Sequence, residues 1–294
     1  MSAGGEDSGA DLPANPTLLD CAIVVVTHNS ESTWNRAKQA IDALQPAVAE
    51  CCVVDNASAH APALGEHSLT HWQLLRNRQN VGFAHACNQG AAATHASWIV
   101  FLNPDCFPAP GDIQRLIQCA ESVSTIGVLG AQLVNADGSL QAASSRDAPT
   151  PGRLLRRPGS LSASKIEMLS PGVQRVDAVS GALMLIRRRV FEQLGGFDHG
   201  YRLHCEDLDL CRRIQLAGYQ VAFASEVAVT HVKGTSSQAR PVWVEWQKHR
   251  GMWRYYSKFD RADSPFGLSA LVLIALCLRF PLSALRAWWQ ARRA

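Results

Sequence analysis

The sequence predicts an α/β domain with a central mixed, mainly parallel sheet, followed by a C-terminal helical extension. Three near-continuous apolar runs, Cys21–Val26, Glu50–Asp55 and Trp98–Leu102, read as strands covered on both faces. Helical stretches near residues 32–44 and 84–96 separate them, and that alternation builds parallel sheets. Each run ends on groups that can hold a ligand: Thr27-His28-Asn29-Ser30, Asp55-Asn56 and Asn103-Pro104-Asp105. In open α/β sheets, ligands gather at the carboxyl ends of the strands.

The remaining elements follow in order. The first helix has Ser30 or Ser32 as its expected N-cap. Trp72 to Leu75 forms a third short strand, and Asn80-Val81-Gly82 leads into the small-residue helix that delivers the central strand. Pro104 has no N–H for a ladder and turns Asn103 away from helix, so the chain leaves the sheet at Asp105. A helix (111–122) and a strand (127–134) come next, and Asp137-Gly138 is a hairpin turn signal. Residues 142–175 are rich in Pro, Gly and Arg without sustained period and read as a long loop or lid. Asp177 to Ile186 reads as one strand, with Gly181 marking a close approach of ligand or backbone. An amphipathic helix from His204 to Ala217 and strands from Tyr219 to Val232 complete the domain.

A chain of 294 residues with 47% apolar and 18% charged residues can bury a full core. A net charge of +3, without basic runs interleaved with aromatics, excludes nucleic acid as the main partner. Nine cysteines form no CxxC pair, which suits reduced thiols in the cytoplasm. Residues 1–17 read as a disordered leader, 18–240 as the α/β domain and 241–294 as the helical extension. The run from Ser264 to Leu278 is uncharged for fifteen residues, short of the ~20 that span a bilayer, and Arg279 and Pro281 break it. With Trp288, Trp289 and Arg286 beyond it, the segment is expected to lie peripherally on a membrane, against the alternatives of packing on the domain or spanning.

The residues suggest chemistry in three places. Asp105 at a strand end suits a hard divalent cation bound to a diphosphate. Asp55 could accept from a pyrimidine N–H, with Thr27, His28 and Asn29 beside it, and Gly82 offers a bare backbone N–H to phosphate near a helix start. Neither GxGxxG nor GxxxxGK[ST] occurs, so a dinucleotide dehydrogenase or P-loop kinase lacks its loop. The Glu206-Asp207 pair, with Asp209 beyond, is either a dipole-favourable helix start or a general base. His231, in His-x-x-Gly234-Thr235-Ser236, is either structural or a further metal ligand.

The order of the pieces is the specific part. V-V-T-H-N-S, V-V-D-N-A-S, N-x-G-F-A-x-x-x-N-x-G, F-L-N-P-D, S-G-A-x-x-x-x-R-R-x-x-F-x-x-x-G-G-F-D, E-D-x-D-L-C-x-R and H-x-x-G-x-S run in sequence from about Cys21 to Ser237. This series resembles the inverting family 2 glycosyltransferases, most closely their bacterial rhamnosyltransferase-type branch. The resemblance implies the GT-A fold and transfer of rhamnose or another hexose, with inversion, from a dTDP- or UDP-sugar. It implies a saccharide or lipid-linked saccharide acceptor, in cell-envelope polysaccharide synthesis at the inner face of the cell membrane. By the same resemblance Thr27, Asn29 and Asp55 would hold the nucleotide, with Asn80 and Gly82 beside the nucleotide sugar. Asp105 and His231 would hold Mg²⁺ or Mn²⁺, and Asp207 of the Glu206-Asp207 pair would deprotonate the acceptor. Asn103 stands where many relatives have a second acid, which weakens the metal set, and His28 stands where tyrosine is common. A nucleotidyltransferase or a non-catalytic nucleotide-sugar-binding protein is the alternative; the former would show a Gly-rich basic loop after the first strand, where Thr27-His28-Asn29-Ser30 stands.

Overall fold

Side chains alternate across a strand, and in this protein both faces of the central strands are apolar, so helices must cover both sides of the sheet. The structure is a computed structural model that describes residues 18–65, 70–152, 167–232 and 240–292. Its strands are β1 (Leu19–Thr27), β2 (Val48–Asp55), β3 (His71–Arg76), β4 (Trp98–Leu102), β5 (Cys106–Phe107), β6 (Ile126–Val134), β7 (Ser145–Arg146), β8 (Glu167–Ser170), β9 (Val173–Arg175), β10 (Ala178–Val179), β11 (Leu183–Arg187) and β12 (Gln220–His231). Its helices are α1 (Glu31–Asp42), α2 (Phe83–Ala92), α3 (Asp112–Glu121), α4 (Arg188–Gln193), α5 (Glu206–Leu216), α6 (Pro241–Phe259) and α7 (Leu268–Ala291).

The main sheet runs β3-β2-β1-β4-β11-β6-β12-β9-β8, with β5 pairing β12 at the side. It is parallel from β3 through β4, β11 lies antiparallel between β4 and β6, and β12 returns parallel to β6. Ile23 and Val25 face one layer with Trp34 and Ile41 of α1 and Ile113 and Leu116 of α3. Val24 and Val26 face the other, with Ala84 of α2, Phe191 of α4 and Ile214 of α5. The expected alternating sheet is therefore present, with antiparallel additions beyond β4.

Several local expectations are corrected. The segment 177–186 is two strands, because the chain turns at Ser180-Gly181 between β10 and β11. The loop expected over 142–175 carries β7, β8 and β9 in its described parts. Residues 220–231 form one strand, whose pairing to β6 shifts register between Ala224 and Ala228. Ser30 holds the N-cap position of α1, but its hydroxyl accepts from the His28 N–H at 3.3 Å and makes no cap bond. Arg279 and Pro281 do not interrupt α7, which continues as one helix over 24 residues. All nine cysteines are free thiols, seven of them buried. The expected leader at 1–17 and the Gly234-Thr235-Ser236 motif lie outside the described residues.

Candidate active site

The expected nucleotide corner lies at the carboxyl ends of β1 and β2, and its polar groups mostly bond one another. Asp55 is fully buried; its Oδ1 accepts from the Ser58 N–H at 3.0 Å, and the Arg76 Nε lies 3.2 Å from its Oδ2. Asn29 adopts a left-handed backbone (φ 51°), and its Oδ1 accepts from the Ala59 N–H at 2.9 Å. The Thr27 hydroxyl is buried and has no hydrogen-bond partner. The bare N–H expected at Gly82 is not free, because it donates to Asn80 Oδ1 at 2.9 Å. Gly82 itself sits at φ 92°, where a side chain would be strained and a Cβ would come within 3.1 Å of the Arg202 carbonyl. That carbonyl also accepts the Phe83 N–H at the start of α2. Asn56 and Asn77 tie this corner together: Asn56 Nδ2 reaches Asn80 Oδ1 at 3.2 Å, and its Oδ1 accepts from Val81 N and Asn77 Nδ2.

The second cluster sits where β4 ends. Asn103 leaves the strand with its N–H on the Ala182 carbonyl at 2.9 Å, and Asp105 follows in the turn before β5. Because β5 pairs antiparallel with β12 through Cys106 and His231, the His231 ring comes to Asp105, with Nε2 3.3 Å from Oδ1. That Oδ1 is buried and accepts no hydrogen bond. An oxygen and a nitrogen ligand, both nine-tenths buried, with one carboxylate oxygen unsatisfied, fit a divalent cation whose other ligands are phosphate oxygens and water. Among the described residues no cluster of three or more acidic, His or Cys side chains could hold a metal without such help.

The third cluster caps α5. His204 and Cys205 both adopt left-handed backbone (φ 66° and 70°), a conformation that costs non-glycine residues energy and collects at functional sites. The turn they make delivers Glu206 and Asp207 at the helix start. Asp207 Oδ2 accepts from the Gly181 N–H at 3.0 Å and from the Arg146 guanidinium, and Oδ1 accepts from the Leu208 N–H at 2.8 Å. Burial pushes its pKa up, but Arg146 and the Gly181 amide outweigh burial, and the carboxyl lies below its ordinary value. Burial, and then the charge of Asp207, push Glu206 up to about 8, and its Oε2 has no partner. One acid is thus kept ionised and its neighbour is kept protonated at neutral pH. A carboxylate has about four lone-pair positions, so Oδ1 of Asp207 keeps one for an incoming hydroxyl.

Gly181 links the second and third clusters. Its N–H holds Asp207, and the carbonyl of the next residue, Ala182, holds Asn103. A Cβ at Gly181 would lie in ordinary contact with the Asp207 side chain, 3.4 Å away, so its neighbour here is a side chain and not the ligand or backbone expected. Asp105, His231 and Asp207 therefore gather at one end of the sheet, around the junction of β4 and β11. Arg146 and Gln141 were missed by sequence reasoning. Arg146 reaches the site through a two-residue ladder between β7 and β10, a pairing too short to leave a period in the sequence. The available signal was the run of arginines over 142–175, of which Arg146 is the first.

Comparisons with known proteins bear on this arrangement. A family model described as Glycosyl transferase family 2 matches residues 22–195, and one described as Glycosyl transferase family group 2 matches 164–291. The N-acetylglucosaminyl-diphospho-decaprenol L-rhamnosyltransferase of Mycobacterium tuberculosis is 28% identical over 240 residues, which are 74% of this chain and 78% of that protein. An O-antigen chain rhamnosyltransferase of Salmonella typhimurium is 25% identical over 217 residues, 72% of this chain and 66% of its own. Among solved structures, the mannosyltransferase from Pyrobaculum calidifontis in complex with GDP-Man and Mn²⁺ superposes with TM-score 0.55 at 18% identity, over 97% of this chain and 78% of that one. GalNAc-T7, crystallised with UDP, GalNAc and Mn²⁺, superposes with TM-score 0.59 at 20% identity over 83% of this chain; the match spans 48% of that chain's length. These two superpositions establish a shared GT-A fold.

Proposed function

The chain belongs to glycosyl transferase family 2, and we propose that it moves rhamnose or another hexose from a dTDP- or UDP-sugar to a saccharide or lipid-linked saccharide in cell-envelope polysaccharide synthesis. It is an inverting, nucleotide-sugar-dependent glycosyltransferase. The observation that supports the site assignment most is the gathering of Asp105, His231 and Asp207 around Gly181-Ala182.

Inversion in one step needs a base on the side of the anomeric carbon opposite the leaving diphosphate. Asp207, ionised and with a lone pair of Oδ1 free, takes the proton of the acceptor hydroxyl as that oxygen attacks. Glu206 stays protonated behind it, which avoids a second buried charge beside the base. Asp105 and His231 would hold Mg²⁺ or Mn²⁺, which would supply positive charge against the diphosphate leaving group. Thr27, Asn29, Asp55, Asn80 and Gly82 form the nucleotide side; the buried, unpartnered Thr27 hydroxyl is the group there with hydrogen-bonding capacity to spare. Asn103 and Gly181 shape the floor between the two clusters.

The acceptor reading draws on α6 and α7. At ~1.5 Å per residue the 24 residues of α7 reach about 36 Å, long and apolar enough to cross a membrane. Leu271, Ile274, Leu278 and Leu282 are exposed along it, and Trp243 and Trp246 of α6 add to the same apolar surface. Arg292 stacks on Trp288 at 3.8 Å, a cation and an aromatic ring suited to headgroups. We assign this surface to the inner face of the cell membrane, where a lipid-linked acceptor would be met. A donor screen tests the function: dTDP-rhamnose and UDP-hexoses are offered with an N-acetylglucosaminyl-diphospho-polyprenol, with and without Mn²⁺, and released nucleoside diphosphate is read. Acceptor-dependent release from one donor is expected. No release from any sugar nucleotide, with nucleotide transfer instead, would favour the nucleotidyltransferase alternative.

A further inference from the structure

His231 is held at both ends by a single side chain, and the direction of that hold has a chemical consequence. Gln141 is buried (3% exposed), and its amide nitrogen faces two close acceptors besides the ring. Its Nε2 donates to the His231 carbonyl at 2.7 Å and to Asn135 Oδ1 at 2.8 Å. Turning the amide over would set its oxygen against these two acceptors, so the orientation is fixed. Gln141 Oε1 therefore points at His231 Nδ1, 3.0 Å away, and can only accept. The proton of the neutral ring must then sit on Nδ1, leaving an unshared pair on Nε2.

That pair faces Asp105 Oδ1 at 3.3 Å, an oxygen with no donor of its own. For the neutral ring, two acceptors turned toward each other in a buried place repel unless a cation, or a second ring proton on Nε2, stands between them. The reverse tautomer would let Nε2–H donate to Asp105 and close the site; Gln141 prevents it. Asn135, in turn, is tied to Ser139 across the Asp137-Gly138 turn, its N–H on the Ser139 carbonyl and its Nδ2 on the Ser139 hydroxyl, both at 2.8 Å. A surface hairpin thus sets the electronic state of a ligand on β12.

We propose that Gln141 is a positioning residue that fixes His231 as its Nδ1–H tautomer, so that the Nε2 lone pair and Asp105 face one divalent cation. The proposal rests on the reading of Asp105 and His231 as metal ligands. Outer hydrogen-bond partners of ligating histidines commonly govern affinity by about 10–100-fold.

The test uses the full chain labelled with ¹⁵N-histidine, free of metal, with the His231 signals assigned by their loss in His231→Ala. Long-range ¹H–¹⁵N spectra should place the proton of His231 on Nδ1 in the wild type, and Gln141→Leu should move population to Nε2–H. An Nε2–H tautomer in the wild type overturns the role of Gln141, whatever happens to the variant. Mn²⁺ binding in the presence of a saturating nucleoside diphosphate, followed by the electron paramagnetic resonance of the ion not bound to protein, should weaken about 10–100-fold in Gln141→Leu. Unchanged Mn²⁺ affinity in a folded Gln141→Leu also overturns the proposal. Asp105→Asn separates the two layers: Mn²⁺ binding that this change leaves intact removes the metal reading itself, whereas the tautomer of the wild type is decided without any metal.

Discussion

The two halves of the site are built differently. In the corner made by β1 and β2, Asn56, Asn80 and Gly82 bond one another, Asp55 and Asn29 accept from the main chain of Ser58 and Ala59, and the Thr27 hydroxyl is left without a hydrogen-bond partner. Around β4, β11 and α5, by contrast, buried atoms are left wanting: Asp105 Oδ1 and Glu206 Oε2 have no hydrogen-bond partner, and two adjacent acids are driven to opposite protonation states. The first half is a largely satisfied scaffold with the Thr27 hydroxyl to spare. The second half stores electrostatic tension that a cation, a diphosphate and a hydroxyl would relieve. Pre-organised polar groups in a dry site are the usual source of transition-state stabilisation, so our proposal places the chemistry in the second half.

If that division is right, substitutions in the second half cost turnover and those in the first cost mainly binding. The largest expected effect is Asp207→Asn, which should lower kcat on the order of 10³-fold while leaving donor Kd within a few-fold, read by single-turnover kinetics and calorimetric titration. Next is Arg146→Ala. Without its guanidinium the Asp207 pKa rises, so the acid limb of the kcat/KM profile should move to higher pH; an unmoved limb would separate Arg146 from the base.

Glu206→Gln sharpens the contrast through stability rather than rate. Glu206 titrates near 8 in the folded protein and near 4.5 as a free side chain, so the unfolded chain loses its proton first as pH rises. Wild-type stability should therefore fall between about pH 4.5 and pH 8, and Glu206→Gln should remove that fall. The advantage in Tm of Glu206→Gln over the wild type should be about 5 °C or more larger at pH 8 than at pH 5. In the first half, Asn80→Ala should raise the donor KM by about 10-fold or less, the loss of one or two hydrogen bonds, with kcat nearly unchanged.

Much of this was legible in the sequence, for physical reasons that differ by region. The strands β1, β2 and β4 announce themselves because burial on both faces demands an unbroken apolar run, and Asp55 and Asp105 follow at their ends as the places where such runs stop. The left-handed pair His204-Cys205 left no trace, since neither residue is a glycine that would mark the turn. Arg146 and Gln141 lie in a segment held by side-chain bonds and two-residue ladders, where no periodicity can form. Pro281 misled in the other direction. It signals a break, yet α7 carries it inside its length. The helix is longer than its uncharged run because Arg279 and Arg286 lie within it and do not end it.

The extension has its own link to the catalytic helix. Lys258 of α6 bonds both Asp209 of α5, at 2.6 Å, and Asp198, at 2.7 Å, and Arg254 adds a second contact to Asp198 at 2.8 Å. Burial raises the Asp198 carboxyl, but Lys258 and the Gly200 amide bring it down to about 2. Removing residues 263–294 leaves those contacts in place, so such a truncation should release the protein from vesicles while keeping turnover on a soluble acceptor. Truncated protein that still sediments with vesicles would count against the membrane assignment of α7.

The central claim is that Asp105 and Asp207 act on one bound sugar from opposite sides. The most direct measurement is a pair of binding and rate experiments on Asp105→Asn, Asp207→Asn and the double variant, with a single donor and Mn²⁺. The account predicts that Asp105→Asn weakens Mn²⁺-dependent donor binding, that Asp207→Asn stops transfer with donor still bound, and that the two effects on kcat/KM are less than additive because both act in one transition state. Transfer at near-wild-type rate by Asp207→Asn, or fully independent effects of the two changes, would contradict it.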